Sequence, residues 1–308
     1  MTVQTLQEKA KRPGADPAGL RRAPVGHFIA TYHYIRERDS DGVTGITPQR
    51  FKEQILAIKS QYDIVTAQEF SARAACEDRL GLITFDDAVK DQAIAAEILD
   101  GLGVPGVFFA PMRPYSDEPD RWCAQHLLHA LAEHLGWREF ERRVEPRIAG
   151  VDIDVARMDA LYHYEVPRKR RLKFALAFAA PPEQAWAILR ETNAEVGLRA
   201  EDWFMTEAEL RALQAAGHSL GGHGFDHVPY TSLSAKAQAA DMQRAAATMT
   251  RLFGAMPRML AYPFGRYDET TEMIARGCGY TMTLGTDERV DAKYVMDELR
   301  RRGQGGIK

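Results

Sequence analysis

Apolar and polar positions follow two rhythms along this chain. From His27 onward, apolar runs of strand length are separated by segments with helical periodicity. His27–Tyr34 predicts a first strand. Thr47-Pro48 sets an N-cap before a proline at the first helical position and predicts a helix to about Tyr62. Ile64–Thr66 predicts a short strand, and Thr66 with Glu69 forms a capping-box pattern for the next helix. Leu80–Phe85 is a continuous apolar run ending in Asp86-Asp87, as expected of a buried parallel strand. Helix Gln92–Leu102 and strand Val104–Ala110 follow. Residues 112–202, approximately, carry helix formers and no strand pattern, which predicts a helical insertion. Alternation then resumes with a helix capped by Thr206 and Glu209, strand His218–Gly222, helix Ser234–Phe253, strand Arg258–Tyr262, helix Asp268–Arg276 and strand Gly279–Leu284. Strand–helix alternation predicts a parallel sheet covered by helices, either a barrel or a doubly wound sheet. In both, functional residues collect at the carboxyl ends of strands.

Composition adds exclusions. With 308 residues, 45% hydrophobic and 27% charged, the chain is an ordinary soluble globular protein with core enough to need no disulfide. Cys76, Cys123 and Cys278 are far apart and form no CxxC, so neither a disulfide framework nor a zinc ribbon is expected. A reducing compartment fits that usage. The net charge of −3 disfavours a nucleic-acid binder. The basic run Arg168-Lys169-Arg170-Arg171 reads as a solvated helix end. No stretch approaches the ~20 apolar residues of a membrane span. The first residues mix Lys9, Lys11, Arg12, Arg21 and Arg22 with prolines and contain no apolar signal-peptide core. The expectation is a mobile tail over 1–25, one domain over 26–308, and a cytoplasmic protein.

Three polar clusters follow strands. Thr84-Phe85-Asp86-Asp87 places adjacent carboxylates at a strand end, where their repulsion is relieved by a cation or by a shifted pKa; the alternative is that one of them caps the next helix. His223-Gly224-Phe225-Asp226-His227 sets two histidines four apart, on one face if the segment makes a helical turn. That spacing suits a metal of borderline softness such as Zn²⁺. Ala261-Tyr262-Pro263-Phe264-Gly265-Arg266-Tyr267 is a loop whose backbone amides can face a ligand, or an ordinary strand-to-helix turn. Together, one carboxylate and two histidines leave coordination positions open for water and substrate, with a second carboxylate to act as a base. That set describes metal-assisted hydrolysis.

In the order T-F-D-D, H-x-x-x-H and P-aromatic-G, the chain resembles the polysaccharide deacetylases, the NodB-homology or carbohydrate esterase 4 family, from about His27 to Leu284. Tyr32-His33-Tyr34-Ile35-Arg36 is similar to the Y-H-x-[IV]-R opening of one branch. The resemblance implies a distorted (β/α) barrel of seven or eight parallel strands, here with a helical insertion, and removal of N-acetyl groups from amino sugars. It implies Asp87, His223 and His227 as ligands of a divalent metal ion, usually Zn²⁺. Asp86 would be the general base and the Phe264 N–H the oxyanion donor, with Tyr262 and Phe264 against the substrate. Two departures stand out. Ala261 occupies a position where the family often carries an arginine that orients the catalytic aspartate; Arg36 and Arg266 are the alternatives. No histidine follows His227 to supply the late general acid of many members, and His33, near the end of the first strand, is the candidate for that role. The rival readings are a catalytically silent carbohydrate-binding protein on the same fold, and a hydrolase of O-acetyl esters or of a non-sugar amide.

His126, His129 and His134 fall on a predicted helix of the insertion. His126 and His129 share a face, but no carboxylate or cysteine nearby in sequence completes a site, so no ligand role is expected of them. Asp226 is read equally as a partner orienting a ligand histidine or as a turn residue.

Overall fold

The computed structural model describes residues 26–75, 79–162 and 165–286, and the backbone of a last strand at Tyr294–Met296. The N-terminal tail, from which the cytoplasmic expectation was drawn, and most of the charged C-terminal stretch lie outside the described residues. Eight strands form one sheet: β1 (Phe28–Tyr32), β2 (Asp63–Ile64), β3 (Leu80–Asp86), β4 (Val107–Ala110), β5 (Ser219–Gly222), β6 (Met259–Ala261), β7 (Met282–Thr286) and β8 (Tyr294–Met296). The order is β1-β3-β4-β5-β6-β7-β8, with β2 beside the start of β3. All pairings are parallel except β7 with β8.

The local signals act as anticipated. Thr47 caps helix α1 (Pro48–Lys59), its side chain accepting from the Arg50 N–H. Thr66 and Glu69 make both halves of a capping box on α2 (Ala67–Arg73), and helix α3 (Gln92–Leu102) crosses from β3 to β4. Among the described residues the insertion after β4 carries five α-helices: α4 (Ala124–Leu135), α5 (Trp137–Ile148), α6 (Val155–Leu161), α7 (Pro167–Phe174) and α8 (Pro182–Val196). The crossover helix α9 (Glu207–Ala215) follows, its box made by Thr206 and Glu209. Helices α10 (Ala235–Phe253) and α11 (Glu269–Gly277) complete the alternation.

Strand alternation sorts side chains into two layers. Ile29, Leu82, Val107, Phe109, Met259, Ala261, Met282 and Leu284 share one apolar cluster drawn from β1, β3, β4, β6 and β7, so the sheet curls around it as a half-barrel. The intervening Phe28, Ala30, Tyr32, Ile83, Phe85 and Phe108 pack with Phe51, Ile55 and Leu99 of the outer helices. Inside the curl there is no room at Gly221, where an added Cβ would stand 2.4 Å from the Phe109 ring. The insertion has its own core, built on Leu127, Leu131, Trp137, Phe140, Val144, Leu172 and Leu189. The basic run is more than a solvated end: on α7, Arg168 pairs with Glu141, Arg171 with Glu145, and Arg170 with Asp159 at 2.6 Å. Those pairs tie α7 to α5 and α6. No helix among the described residues is long and apolar enough to cross a membrane.

Register decides where the chemistry collects. Tyr32 stands opposite Phe85, Asp86 opposite Phe109, Ala110 opposite Gly222, and Gly222 opposite Leu260. The carboxyl ends of β1, β3, β5 and β6 therefore lie side by side, and each hands its chain to one of the polar segments.

Candidate active site

Asp86 is the last residue of β3 and shares the inward parity of Leu80 and Leu82. Asp87 follows with a left-handed backbone (φ 85°), as does Ala88 (φ 52°). Neither carboxylate caps α3, whose N-cap residue is Asp91. Both are buried, at 4% exposure each.

The structure brings Asp87, His223 and His227 together, with one donor atom from each within 4.8 Å of the others. Asp87 Oδ1 lies 3.5 Å from His223 Nε2 and 3.1 Å from His227 Nε2. His223 Nδ1 hydrogen-bonds to the Ala261 carbonyl at 2.8 Å. Donating from Nδ1 leaves Nε2 facing Asp87, and burial is outweighed by the Asp86 and Asp87 carboxylates, which raise this imidazole's pKa. Ala261, the position where an arginine was anticipated, thus contributes its backbone while its methyl packs in the inner cluster.

The loop holding the two histidines departs from regular geometry. Gly224 (φ +74°) holds a conformation that disfavours a side chain, and a Cβ would press on Asp241 Oδ1 at 3.0 Å and the Tyr230 hydroxyl at 3.1 Å. His227 also has a positive φ, 54°. Asp241, on α10, gathers the loop: its carboxylate accepts the Phe225 N–H, the Asp226 N–H and the Tyr230 hydroxyl, each at 2.9 Å. Sequence reading missed Asp241, which lies mid-helix in an alanine-rich stretch; a carboxylate among the apolar positions of a helix was the available signal. Asp226 itself turns away and accepts from Arg113 Nε at 2.6 Å, so it orients no histidine.

His33 follows β1 with inward parity, while Tyr32 and Tyr34 pack in the outer and insertion clusters. Its Nε2 stands 3.8 Å from Asp86 Oδ2, and the side chain is 33% exposed. Phe264 is half-buried, with φ 58°, its ring 5.1 Å from that of His227. Tyr262 requires a correction. Its ring is 2% exposed and stacked on Tyr267 at 4.9 Å within the cluster of Tyr230 and Leu260, because its parity turns it to the helix side of the sheet. It is a packing residue and does not face the site. Arg36 is likewise committed elsewhere, with nitrogens 2.7 Å from Asp91 and 2.8 Å from Glu133.

One residue expected to be outside the site is in it. His126, on α4 of the insertion, is fully buried and places Nε2 3.1 Å from Asp87 Oδ1. The carboxylate that sequence proximity could not supply comes from the end of β3.

Electrostatics divides the two carboxylates. Burial pushes the Asp86 carboxyl up, partly offset by His223 and His33. Burial also acts on Asp87, but the surrounding His126, His227 and His223 outweigh it and hold that carboxyl well below its usual range. Burial drives His227 down to about 3, leaving a neutral imidazole with a lone pair to give. Asp87 Oδ1 and His227 Nδ1 are buried and make no hydrogen bond. A carboxylate and imidazoles, deeply buried and incompletely satisfied, fit a divalent cation of Zn²⁺ type.

Comparison with known proteins bears on the family resemblance and the fold. Residues 183–283 match the family model described as polysaccharide deacetylase, a stretch containing both the histidine loop and the Pro263-Phe264-Gly265 turn. Over 100 residues the chain is 28% identical to YxkH of Bacillus subtilis, whose name assigns it provisionally to the polysaccharide deacetylases; the match spans 31% of this chain and 36% of that protein. Among solved structures, the deacetylase PplD of Streptococcus pyogenes aligns over 86% of this chain and 85% of its own, with TM-score 0.52 and 14% identity. IcaB of Ammonifex degensii aligns over 84% and 83%, with TM-score 0.50 and 17% identity. At those identities the solved structures speak for the fold, which is the distorted (β/α) barrel anticipated. The resemblance to the polysaccharide deacetylases is borne out over residues 183–283, where the chain matches the family model, and the solved deacetylases share its fold.

Proposed function

We propose that this protein is a metal-dependent hydrolase that removes the N-acetyl group from an amino sugar, free or within an oligosaccharide or polysaccharide. The observation that carries the reading is the convergence of Asp87, His223 and His227 within 4.8 Å, with the chemically distinct Asp86 next in sequence. Asp87, His223 and His227 would hold a divalent cation, which would supply Lewis-acid polarisation of the acetyl carbonyl and acidify a water toward ~7. Asp86, its basicity raised by burial, takes the proton of the attacking water. The Phe264 N–H, presented by a left-handed turn, donates to the developing oxyanion. His33, on the partly open side of Asp86, delivers a proton to the departing amine, since an amide anion is too basic to leave unprotonated. Acetate and the free amino sugar are the products.

Acetate release from a panel of N-acetyl and O-acetyl sugars, with and without a chelator, tests this directly. Turnover of N-acetyl sugars that the chelator abolishes and Zn²⁺ restores is the expected result. Turnover of O-acetyl sugars alone would reassign the substrate class. Metal retention with no turnover on any substrate would identify a binding protein.

A further inference from the structure

We infer that His126, supplied by the helical insertion, is a fourth protein ligand of the metal, so that three imidazoles and one carboxylate hold the cation. This deepens the metal-hydrolase reading above and rests on it.

His126 stands as close to the shared carboxylate as any residue of the site. Its Nε2 is 3.1 Å from Asp87 Oδ1, equal to His227 at 3.1 Å and nearer than His223 at 3.5 Å. The ring is 0% exposed, and neither of its nitrogens makes a hydrogen bond. Helix α4 places leucines and alanines around it at Leu127, Ala130 and Leu131. A buried imidazole among such residues costs free energy unless something satisfies it, and an apolar side chain would serve packing better.

A simple ion pair with Asp87 does not account for the arrangement. Three imidazole Nε2 atoms crowd around one carboxylate oxygen. An oxygen with two lone pairs cannot accept from three donors, and by hydrogen-bond geometry Asp87 Oδ1 accepts from none of them. Asp87, His223 and His227 have donor atoms within 4.8 Å of one another, His126 joins them through Asp87 Oδ1, and a cation drawn in beside that oxygen would relieve the crowding. The rings themselves are arranged for this: the centroids of His126 and His227 are 4.7 Å apart at 58°, and those of His223 and His227 4.8 Å apart at 58°, tilted rather than stacked. Phe204 meets the His126 ring edge-on at 4.9 Å and fixes it from the insertion side.

Position is also secured along the backbone. Val89 bridges Phe204, the Met205 N–H donates to the Ala88 carbonyl, and the Lys90 N–H donates to the Trp203 carbonyl. The returning end of the insertion is therefore hydrogen-bonded to the residues that follow Asp87. The chemical consequence is a site richer in imidazole than one built from the strand-end motifs alone, which favours Zn²⁺, Co²⁺ or Ni²⁺ over Mg²⁺ or Ca²⁺.

The test uses the full chain loaded with Zn²⁺. X-ray absorption on the wild type counts the imidazoles around the metal, three if the inference holds and two if it does not, and this readout depends on no variant. In parallel, Zn²⁺ affinity is measured by competition with a chromophoric chelator for wild type, His126→Ala, His126→Gln and His129→Ala, with folding checked by circular dichroism. Both folded His126 variants should bind more than about 100-fold more weakly, beyond the roughly 10–100-fold usual on losing an outer-shell partner, whereas His129→Ala should stay within about twofold. Two imidazoles in the wild type, or unchanged affinity in a folded His126 variant, would overturn the inference and leave the metal hydrolase intact. Failure of the wild type to bind Zn²⁺, Co²⁺ or Ni²⁺ would overturn the underlying reading as well.

Discussion

Two pairs of histidines with nearly the same spacing end differently in this protein. His223 and His227, on the loop after β5, both reach Asp87 Oδ1, at 3.5 and 3.1 Å. His126 and His129, on helix α4, diverge. The first reaches Asp87 at 3.1 Å, while the second hydrogen-bonds with the Tyr34 hydroxyl at 3.0 Å and with Gln125 at 2.8 Å. A regular helix rotates side chains three apart by about 60° relative to one another, enough to separate their targets. The loop overcomes that divergence with left-handed residues at Gly224 and His227 and with a carboxylate clamp from Asp241. Of the five described non-glycine residues with positive φ, Arg79, Asp87, Ala88, His227 and Phe264, all but Arg79 belong to the site. Such conformations cost about 1–3 kcal/mol each and persist where the surroundings enforce them. Converging donors from one short segment requires a distorted backbone, and a straight helix delivers one donor without it.

The largest expected effect is on the loop pair. His223→Ala should lose bound metal and activity together, since it removes both a donor and the bond to Ala261; full metal content in that variant would dissociate the loop from metal binding. Asp86→Asn comes next. It should keep metal but lower kcat by about 10²-fold or more, the usual loss of a general base, and wild-type turnover would remove Asp86 from the reaction. His33→Ala should bind metal normally and lose amide turnover by about 10²-fold. Activated esters, whose leaving groups need no proton, should fall only a few-fold, and an equal loss on both substrates would argue against proton delivery by His33. Asp241→Asn retains one acceptor where three donors converge, so urea denaturation should show a loss of about 1–3 kcal/mol; an unchanged midpoint would mean that the loop holds its shape without the clamp. The smallest effect belongs to His129→Ala, which removes hydrogen bonds to Tyr34 and Gln125. It should cost about 1 kcal/mol of stability.

The barrel half of the molecule was legible because its signals are local. Leu80–Phe85 and Val104–Ala110 are apolar runs, Thr66 with Glu69 and Thr206 with Glu209 are complete capping boxes, and the motifs lie directly after strands. Strand ends were blurred by a residue or more where flanking residues are apolar but unpaired, as at Val104, which precedes β4. The insertion was legible as helices and illegible as chemistry. His126 meets Asp87 only through the docking of α4 on the strand ends, a contact between segments far apart in the chain. Spacing rules apply within one element and are blind to it. Tyr262 failed for a different reason: adjacency to the Pro-Phe-Gly turn suggested the substrate side, but strand parity at β6 sends Leu260 and Tyr262 to the helix layer. Asp241 was overlooked because two of its three partners are backbone N–H groups, and its one signal was a carboxylate among the apolar positions of a helix.

The short ladder joining residues 88–90 to 203–205 has a consequence for how the molecule opens. The Met205 and Lys90 amides are hydrogen-bonded across it, so neither exchanges with solvent until the two strips part. Parting them releases the end of the insertion from the segment bearing Asp87, so the Asp87 turn and the insertion's exit should open in one step. Hydrogen exchange should give these two amides similar opening free energies, above those of α6, which contributes no buried residue. Protection would then report the docking of the insertion without any substrate being turned over.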